Sequence, residues 1–224
     1  MGKRDGAARE HSNDEPDAHT LWLAAQKKTI GAVERDEVAR SDWRCVAETL
    51  PARRVVVVDE CSTHRHMCPR YARARRGQRA YAKQPRNYGA NVTLLSGLCL
   101  EGMTAAMVVE GAVTTAVFEA YVQHILCPTL QPGDIVILDN LAPHHAQTVQ
   151  TAIQARGARL LFLPPYSPDL SPIENAFAKI KQALRRLRAQ TLDRLIEAID
   201  HALLSITPFD AIGFFVQAGF FNLD

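Results

Sequence analysis

Val55-Val56-Val57-Val58-Asp59-Glu60 sets four β-branched residues in a row directly ahead of two acids. An unbroken run of this kind reads as a strand buried on both faces, inside a sheet that helices cover on either side. An acid placed directly after such a run is costly unless it is solvated or bound. Asp59 is therefore the first candidate functional residue. Ile135-Val136-Ile137-Leu138-Asp139 repeats the arrangement: a second buried strand ending in an acid. Ligands of mixed α/β sheets gather beyond the carboxyl ends of the strands, where two short acids on adjacent strands can converge.

The flanking sequence fills in the rest of such a sheet. Asn91 to Leu100 and Met103 to Val109 read as two further strands, with Glu101-Gly102 as a hairpin turn between them. Thr114 to Leu126 carries Val117, Phe118, Tyr121, Val122 and Ile125 at helical spacing. His145 to Arg156 is expected to be a helix closed by Gly157, and Leu160 to Leu163 another strand. A proline-rich loop, Pro164 to Pro172, leads into a helix with Ile173, Phe177, Ile180, Leu184 and Leu187 on one face. A helix from Thr191 to about Ile206 follows, and a short one after Pro208. Early strands joined by hairpins predict antiparallel pairing, and later strands separated by helices predict parallel pairing. The expected fold class is α/β, an RNase H-like mixed sheet with helices on both faces.

A third acid, Glu174, opens the helix after the proline-rich loop. Asp59, Asp139 and Glu174, with no Cys or His cluster among them, make a hard, all-oxygen ligand set. Such a set suits Mg²⁺ or Mn²⁺ rather than zinc. Two ions roughly 3.5–4 Å apart could activate a nucleophile and stabilise the leaving oxygen of a phosphodiester. Each acid also has a plainer reading. Asp139-Asn140 fits a turn. Ser171-Pro172-Ile173-Glu174 fits a capping box with proline at the first helical position, in which Glu174 only caps the Ser171 amide.

The bulk properties are those of an ordinary globular chain: 224 residues, 47% hydrophobic, 22% charged. No apolar run is long enough to cross a bilayer, and the polar start, Met1 to Asp17, lacks the apolar core of a signal peptide. The expectation is a soluble, intracellular protein without a membrane partner. Five scattered cysteines predict reduced thiols. Net charge is only +2 but unevenly spread. Residues 53–88 hold 10 Lys and Arg against 2 acids, residues 89–178 hold 2 against 7, and residues 179–224 hold 6 against 5. Two basic segments thus flank an acidic middle, which suits a protein that grips phosphates with one part and cations with another. Solvated surface charge is the plainer alternative. Cys61-x-x-His64-x-His66-x-Cys68 has zinc-ligand types, but all four fall within eight residues, too close for two paired knuckles. The His144-His145 pair reads as turn and cap chemistry, and Phe214, Phe215, Phe220 and Phe221 as core or dimer packing. Ahead of the first strand, a helix is expected in pieces from near Thr20 to Leu50, with Trp22, Val33, Val38, Trp43 and Val46 as apolar anchors and Pro51 as its end.

Three blocks go beyond generic patterning. They are Val57-Val58-Asp59-Glu60; Ile137-Leu138-Asp139-Asn140 with His144 five residues after the acid; and Leu163-Pro164-Pro165-Tyr166-Ser167-Pro168-Asp169-Leu170-Ser171-Pro172-Ile173-Glu174-Asn175. Together they closely resemble the catalytic domain of mariner-like transposases, nearest to the bacterial insertion-sequence branch. The 34 residues between Asp139 and Glu174 agree with that branch. The resemblance runs from about Arg54 to Gly219. It takes in Arg70-Tyr71, Arg76-Gly77-Gln78-Arg79 and Pro132-Gly133-Asp134. Ser171 stands where the family commonly has Asn.

The resemblance implies a DNA transposase. Water would hydrolyse a phosphodiester at the element end, and the freed 3′-hydroxyl would attack target DNA by in-line transesterification, without a covalent protein–DNA intermediate. Asp59, Asp139 and Glu174 would be the catalytic and metal-binding acids, with two Mg²⁺ or Mn²⁺ ions as cofactors. Asn140 and His144 would support them or contact phosphate. Arg70, Arg73, Arg75, Arg76, Arg79, Lys179, Lys181 and Arg185 are the candidate DNA contacts. The expected partners are element ends and target DNA, with a homodimer as the active form, in a bacterial cytoplasm and at the nucleoid when active. The expected division is a partly disordered, partly helical segment 1–52 and a catalytic domain 53–224. Full members carry helix-turn-helix modules at the N-terminus, and segment 1–52 is too short and polar for two of them. That raises the expectation of a fragment, a truncated gene product or a catalytic half. A nuclease without strand transfer and an inactive remnant that binds DNA or a sister subunit remain open alternatives.

Overall fold

In the computed structural model, five strands lie in the order β3-β2-β1-β4-β5. They are β1 (Val55–Thr63), β2 (Val92–Cys99), β3 (Gly102–Glu110), β4 (Ile135–Leu138) and β5 (Arg159–Phe162). The structure describes residues 32–69, 71–81, 83, 85 and 89–224. β1 pairs antiparallel with β2, and β2 with β3; β1 pairs parallel with β4, and β4 with β5. This is the mixed sheet that the spacing of hairpins and helices predicts. The hairpin turn falls on Leu100-Glu101, one residue earlier than expected, and Gly102 opens β3 opposite Cys99; Gly102 has φ +124°, and a Cβ there would stand 2.9 Å from the Ile206 carbonyl oxygen.

The valine run feeds two cores. Val55 and Val57 belong to one buried cluster, and Val56 and Val58 to the other, as strand alternation requires. The first cluster joins the sheet to α1 (Glu37–Thr49), α4 (Pro172–Leu187), α5 (Leu192–Leu204) and α6 (Pro208–Gln217). The second joins it to α2 (Thr115–Tyr121) and α3 (Gln147–Ala155). Among the described residues no single helix is long and apolar enough to cross a membrane.

Several expectations are corrected. β1 does not stop at the acids: it runs on to Thr63, because β2 continues to pair with it through Thr63↔Val92. Asp59 therefore lies inside a strand, which also takes in Cys61 to Thr63. The compact unit begins at Glu34, so α1 lies within it rather than ahead of it. The buried residues of α1 are Arg40, Trp43 and Ala47, whereas Val33, Val38 and Val46 are exposed. Only Trp43 of the described anchors packs inward: Arg40, Trp43 and Ala47 set the buried face, Val46 falls at its edge and Val38 on the far side. Trp22 and the start of the expected helix lie outside the described residues.

The helix expected over 114–126 is α2 followed by a wider turn of π type, Val122–Leu126. α3 starts at Gln147 rather than His145, after a 3₁₀ turn over Ala142–His145. Leu187, at the end of α4, is exposed. Phe215 and Phe220 are core residues in edge-to-face contact, Phe214 is partly buried, and Phe221 is exposed.

Candidate active site

Neighbouring strands bring two of the acids together. The parallel ladder between β1 and β4 runs from Val55↔Ile135 to Val57↔Ile137. Asp59 and Asp139 each follow the last rung by two residues, so they leave the ladder side by side. Glu174 comes from the first turn of α4, the helix whose Ile173, Phe177 and Ile180 share a core with Val57 and Cys61. All three acids line one cavity of about 440 Å³. The rest of its wall is Asn140, Leu141, Leu163, Pro164, Pro165, Tyr166, Ser167, Pro168 and Ser171.

Charge is crowded there. Burial pushes the Asp59 carboxyl up to about 7. The Glu60 amide, donating to Asp59 Oδ1 at 2.7 Å, works against that, while Asp139, Glu174 and Glu60 add repulsion. A divalent cation would relieve such repulsion, and the donor chemistry, all carboxylate, suits a hard one. As they stand, no three Asp, Glu, His or Cys side chains among the described residues are drawn together tightly enough to hold a metal ion. The three acids share a cavity; closing them onto an ion requires side-chain movement.

Asp139 is held from behind. Its Oδ1 accepts from the Leu141 amide at 3.1 Å and also meets His144 Nδ1. The His144 side chain is fully buried, with Nε2 3.6 Å from Glu60 Oε1 and its ring 4.2 Å from that of Phe118. Each ring nitrogen thus faces a carboxylate, Nδ1 that of Asp139 and Nε2 that of Glu60. Burial disfavours the imidazolium, yet the Asp139 and Glu60 carboxylates outweigh it and push the group up to about 9. Asn140 is also beside the acids, but its Oδ1 is engaged by His145 Nε2, and His145 stacks on Phe162. Glu60 has a place that the sequence reading did not assign; its only signal was adjacency to Asp59.

The capping box expected at the start of α4 does not form. Ser171 is the N-cap, but its side chain makes no cap bond, and Glu174 is exposed at the cavity. Thr207 and Asp210 do form a complete capping box at α6, which the sequence reading missed. The proline-rich loop is tied to α1 instead. Arg40 donates to Asp169 from both terminal nitrogens, and Arg35 donates to Asp169 Oδ1 and to the Tyr166 carbonyl.

The expected DNA contacts separate. Arg73, Arg75, Arg76 and Arg79 are exposed in an irregular segment, and Arg70 lies outside the described residues. Lys179 is paired with Asp210 at 2.6 Å. Lys181 turns the other way, to Cys61, whose buried thiol is nonetheless pushed up to about 11. Arg185 lines a groove with Pro69, Tyr71, Ala178, Lys179, Gln182 and Arg186.

Residues 54–196 match the family model for DDE superfamily endonucleases. No curated protein matches the chain. Among solved structures, the chain is similar to a pre-cleavage Mos1 transpososome at 16% identity and TM-score 0.71, covering 90% of this chain and 65% of that one. It is similar to the Mos1 mariner paired-end complex with Mn at 17% identity and TM-score 0.72, covering 90% of this chain and 65% of that one. It is also similar to the isolated catalytic domain of Mos1 mariner transposase at 16% identity and TM-score 0.63, covering 85% of this chain and 93% of that one. The chain thus spans about 65% of the length of the first of these transposase chains. The mixed five-stranded sheet with its helices is the RNase H-like fold of that catalytic domain.

Proposed function

Since the chain belongs to the DDE superfamily of endonucleases, we propose that it is the catalytic domain of a DNA transposase that cuts a phosphodiester at an element end and joins the 3′-hydroxyl to target DNA. The single observation that carries this reading is that Asp59, Asp139 and Glu174 line one cavity. Similarity to transposase chains solved as DNA and metal complexes supports it further. In the finer form of the proposal the protein is mariner-like, from the bacterial insertion-sequence branch. It acts as a homodimer on element ends and target DNA, in the cytoplasm and at the nucleoid.

Asp59, Asp139 and Glu174 are the proposed metal ligands. Bound among them, two Mg²⁺ or Mn²⁺ ions would supply charge neutralisation and activation of the attacking and leaving oxygens. The chain's own residues prepare for that. Asp59, held up near neutrality, must give up its proton. His144 and the Leu141 amide fix the orientation of Asp139. Glu174, making no cap, keeps its carboxylate available. Arg73, Arg75, Arg76, Arg79 and Arg185 are the proposed phosphate contacts, because they remain exposed or line a groove. Lys179, paired with Asp210, contributes less.

The test is metal-dependent cleavage with thermal melting. Mg²⁺ or Mn²⁺ should raise the melting temperature by binding the native state, and the chain should then nick DNA and transfer strands. Asp139→Asn should abolish all three effects. A metal response unchanged in Asp139→Asn removes that residue from the site. Cleavage without strand transfer would support a nuclease instead.

A further inference from the structure

α6 turns a face to solvent that carries no charge. Its exposed positions are Pro208, Phe209, Ile212, Gly213, Val216 and Gln217. Phe209, Ile212 and Val216 fall at i, i+3 and i+7, so they form one stripe, and Gly213 lies within it. Phe209 is 86% exposed. The neighbouring α5 shows the ordinary pattern, with Asp193, Arg194, Glu197 and Asp200 among its exposed positions. Single exposed apolar side chains are common. A row of them on one uncharged helix face marks an interaction site.

Two features of the stripe say what covers it. Phe209 sits in a turn that cannot easily give way. Pro208 fixes the backbone before it, and Asp210 after it closes the capping box with Thr207 and pairs with Lys179 at 2.6 Å. Gly213 is the second feature. Glycine in mid-helix is destabilising relative to alanine, and a Cβ on Gly213 would meet nothing within 4 Å. The fold of one chain therefore has no use for this glycine, whereas a second helix crossing there at close range would. Beside the stripe, Pro208 and Ile212 also line a groove of about 360 Å³ with Leu100, Leu223, Arg53 and Glu101. The groove lies at the amino end of β1, away from the three acids.

We propose that this face joins two copies of the chain, α6 against α6, antiparallel about a two-fold axis at Gly213. In that arrangement the stripe complements itself. Phe209 stands four residues before the axis, so it covers Val216 and Gln217, three and four residues beyond the axis, on the other copy. A two-fold contact must also match its own charges. The stripe is neutral, and the groove holds both signs, Arg53 and Glu101. A stable dimer covers about 800 Å² on each partner around an apolar centre. The stripe supplies that centre, and the groove extends it on one side. The proposal rests on the homodimer of the reading above, to which it gives a surface, and it leaves both cavities open to DNA.

Sedimentation equilibrium of the full chain, without DNA or metal and over a wide range of concentration, tests this. The parent should be a dimer. Phe209→Glu should weaken association by about tenfold or more, because it sets a charge in the centre of the contact. Adding Gln217→Lys should recover part of that loss, since the two new charges meet across the axis but lie two turns apart within one helix. Gly213→Leu separates a close crossing from general apolar adhesion. It adds apolar surface and a better helix former, so melting of the dilute protein should not fall, yet association should weaken by about tenfold or more as the helices are held apart. A Gly213→Leu dimer as tight as the parent, or tighter, overturns the crossing. A dimer that Phe209→Glu also leaves intact overturns the surface and leaves the homodimer standing on another one. A parent that sediments as a monomer throughout overturns the surface and the homodimer together, and metal-dependent DNA cleavage then stands or falls by its own assay.

Discussion

Arg40 of α1 and Asp169 of the proline-rich loop, 129 residues apart in the chain, face each other through parallel contacts of 3.0 and 2.7 Å. The Arg40 side chain is 3% exposed and that of Asp169 49%. The guanidinium is therefore the buried partner, and Asp169 is what makes its burial tolerable. Through Asp169 the helix holds the loop that carries Tyr166 and Ser167 into the cavity wall. Asp169→Asn leaves a buried cation with only Glu37 near it, at 3.4 Å. We expect a loss of about 2 kcal/mol, measured by urea unfolding. The same pair sets an acid limb. The Arg40 guanidinium holds the Asp169 carboxyl below its usual range, so its contribution is present above the unfolded value and lost as pH falls through the lower folded one. Asp169→Asn should flatten that limb; an unchanged acid limb would show that the pair contributes nothing to it.

Glu174 and Ser171 are expected to behave as separate residues. With no capping box to break, Glu174→Gln should keep its stability within roughly 1 kcal/mol, the size of a whole cap, while losing metal-dependent DNA cleavage by orders of magnitude. Ser171→Ala should be neutral or slightly stabilising in the absence of DNA, because it removes a buried hydroxyl that has no partner. Thermal melts of the two variants check this. A Ser171→Ala variant destabilised like a lost cap would mean that the hydroxyl caps α4 in solution.

Two groups should make the protein less stable as pH rises, in different windows. Asp59 is raised to about 7, so the folded state holds a proton that the unfolded chain has released, and stability falls between about pH 4 and 7. Asp59→Asn should recover on the order of 3 kcal/mol at pH 8, at about 1.4 kcal/mol per pKa unit and discounting for partial exposure. His144 is raised to about 9. Its contribution is complete below the unfolded value near 6.5 and is lost as pH climbs through about 9. His144→Gln should remove that upper limb. Unfolding free energies measured from pH 4 to 10 separate the two, and a flat profile in the parent would contradict both.

Lys179 and Arg185 lie on the same helix but should answer different assays. Lys179→Ala breaks the contact with the Thr207–Asp210 capping box and should lower stability by up to about 1 kcal/mol, with little effect on DNA. Arg185→Ala should leave stability unchanged and reduce the salt slope of DNA binding by about one. Equal salt slopes for parent and Arg185→Ala would remove the groove from the DNA path.

Local sequence determined what depends on near neighbours. The valine run, the apolar strand before Asp139, the hairpin between β2 and β3 and the buried face of α4 follow from spacing alone, because side-chain period and turn chemistry act over a few residues. The blocks around the three acids carried the family resemblance for the same reason: they are contiguous. Partner choice was the province of the tertiary structure. Asp59 lies inside a strand because β2, some thirty residues on, pairs as far as Thr63↔Val92. The Ser171–Glu174 motif, sufficient for a cap on paper, makes none once the helix start is packed against the cavity. Arg40, to which the sequence reading gave no role, is buried because Asp169 arrives from the far end of the chain. Lys179 and Lys181 read alike as candidate DNA contacts until α6 takes the first and β1 the second. A charge's role depends on which opposite charge folding brings within about 4 Å, and no local pattern encodes that distance.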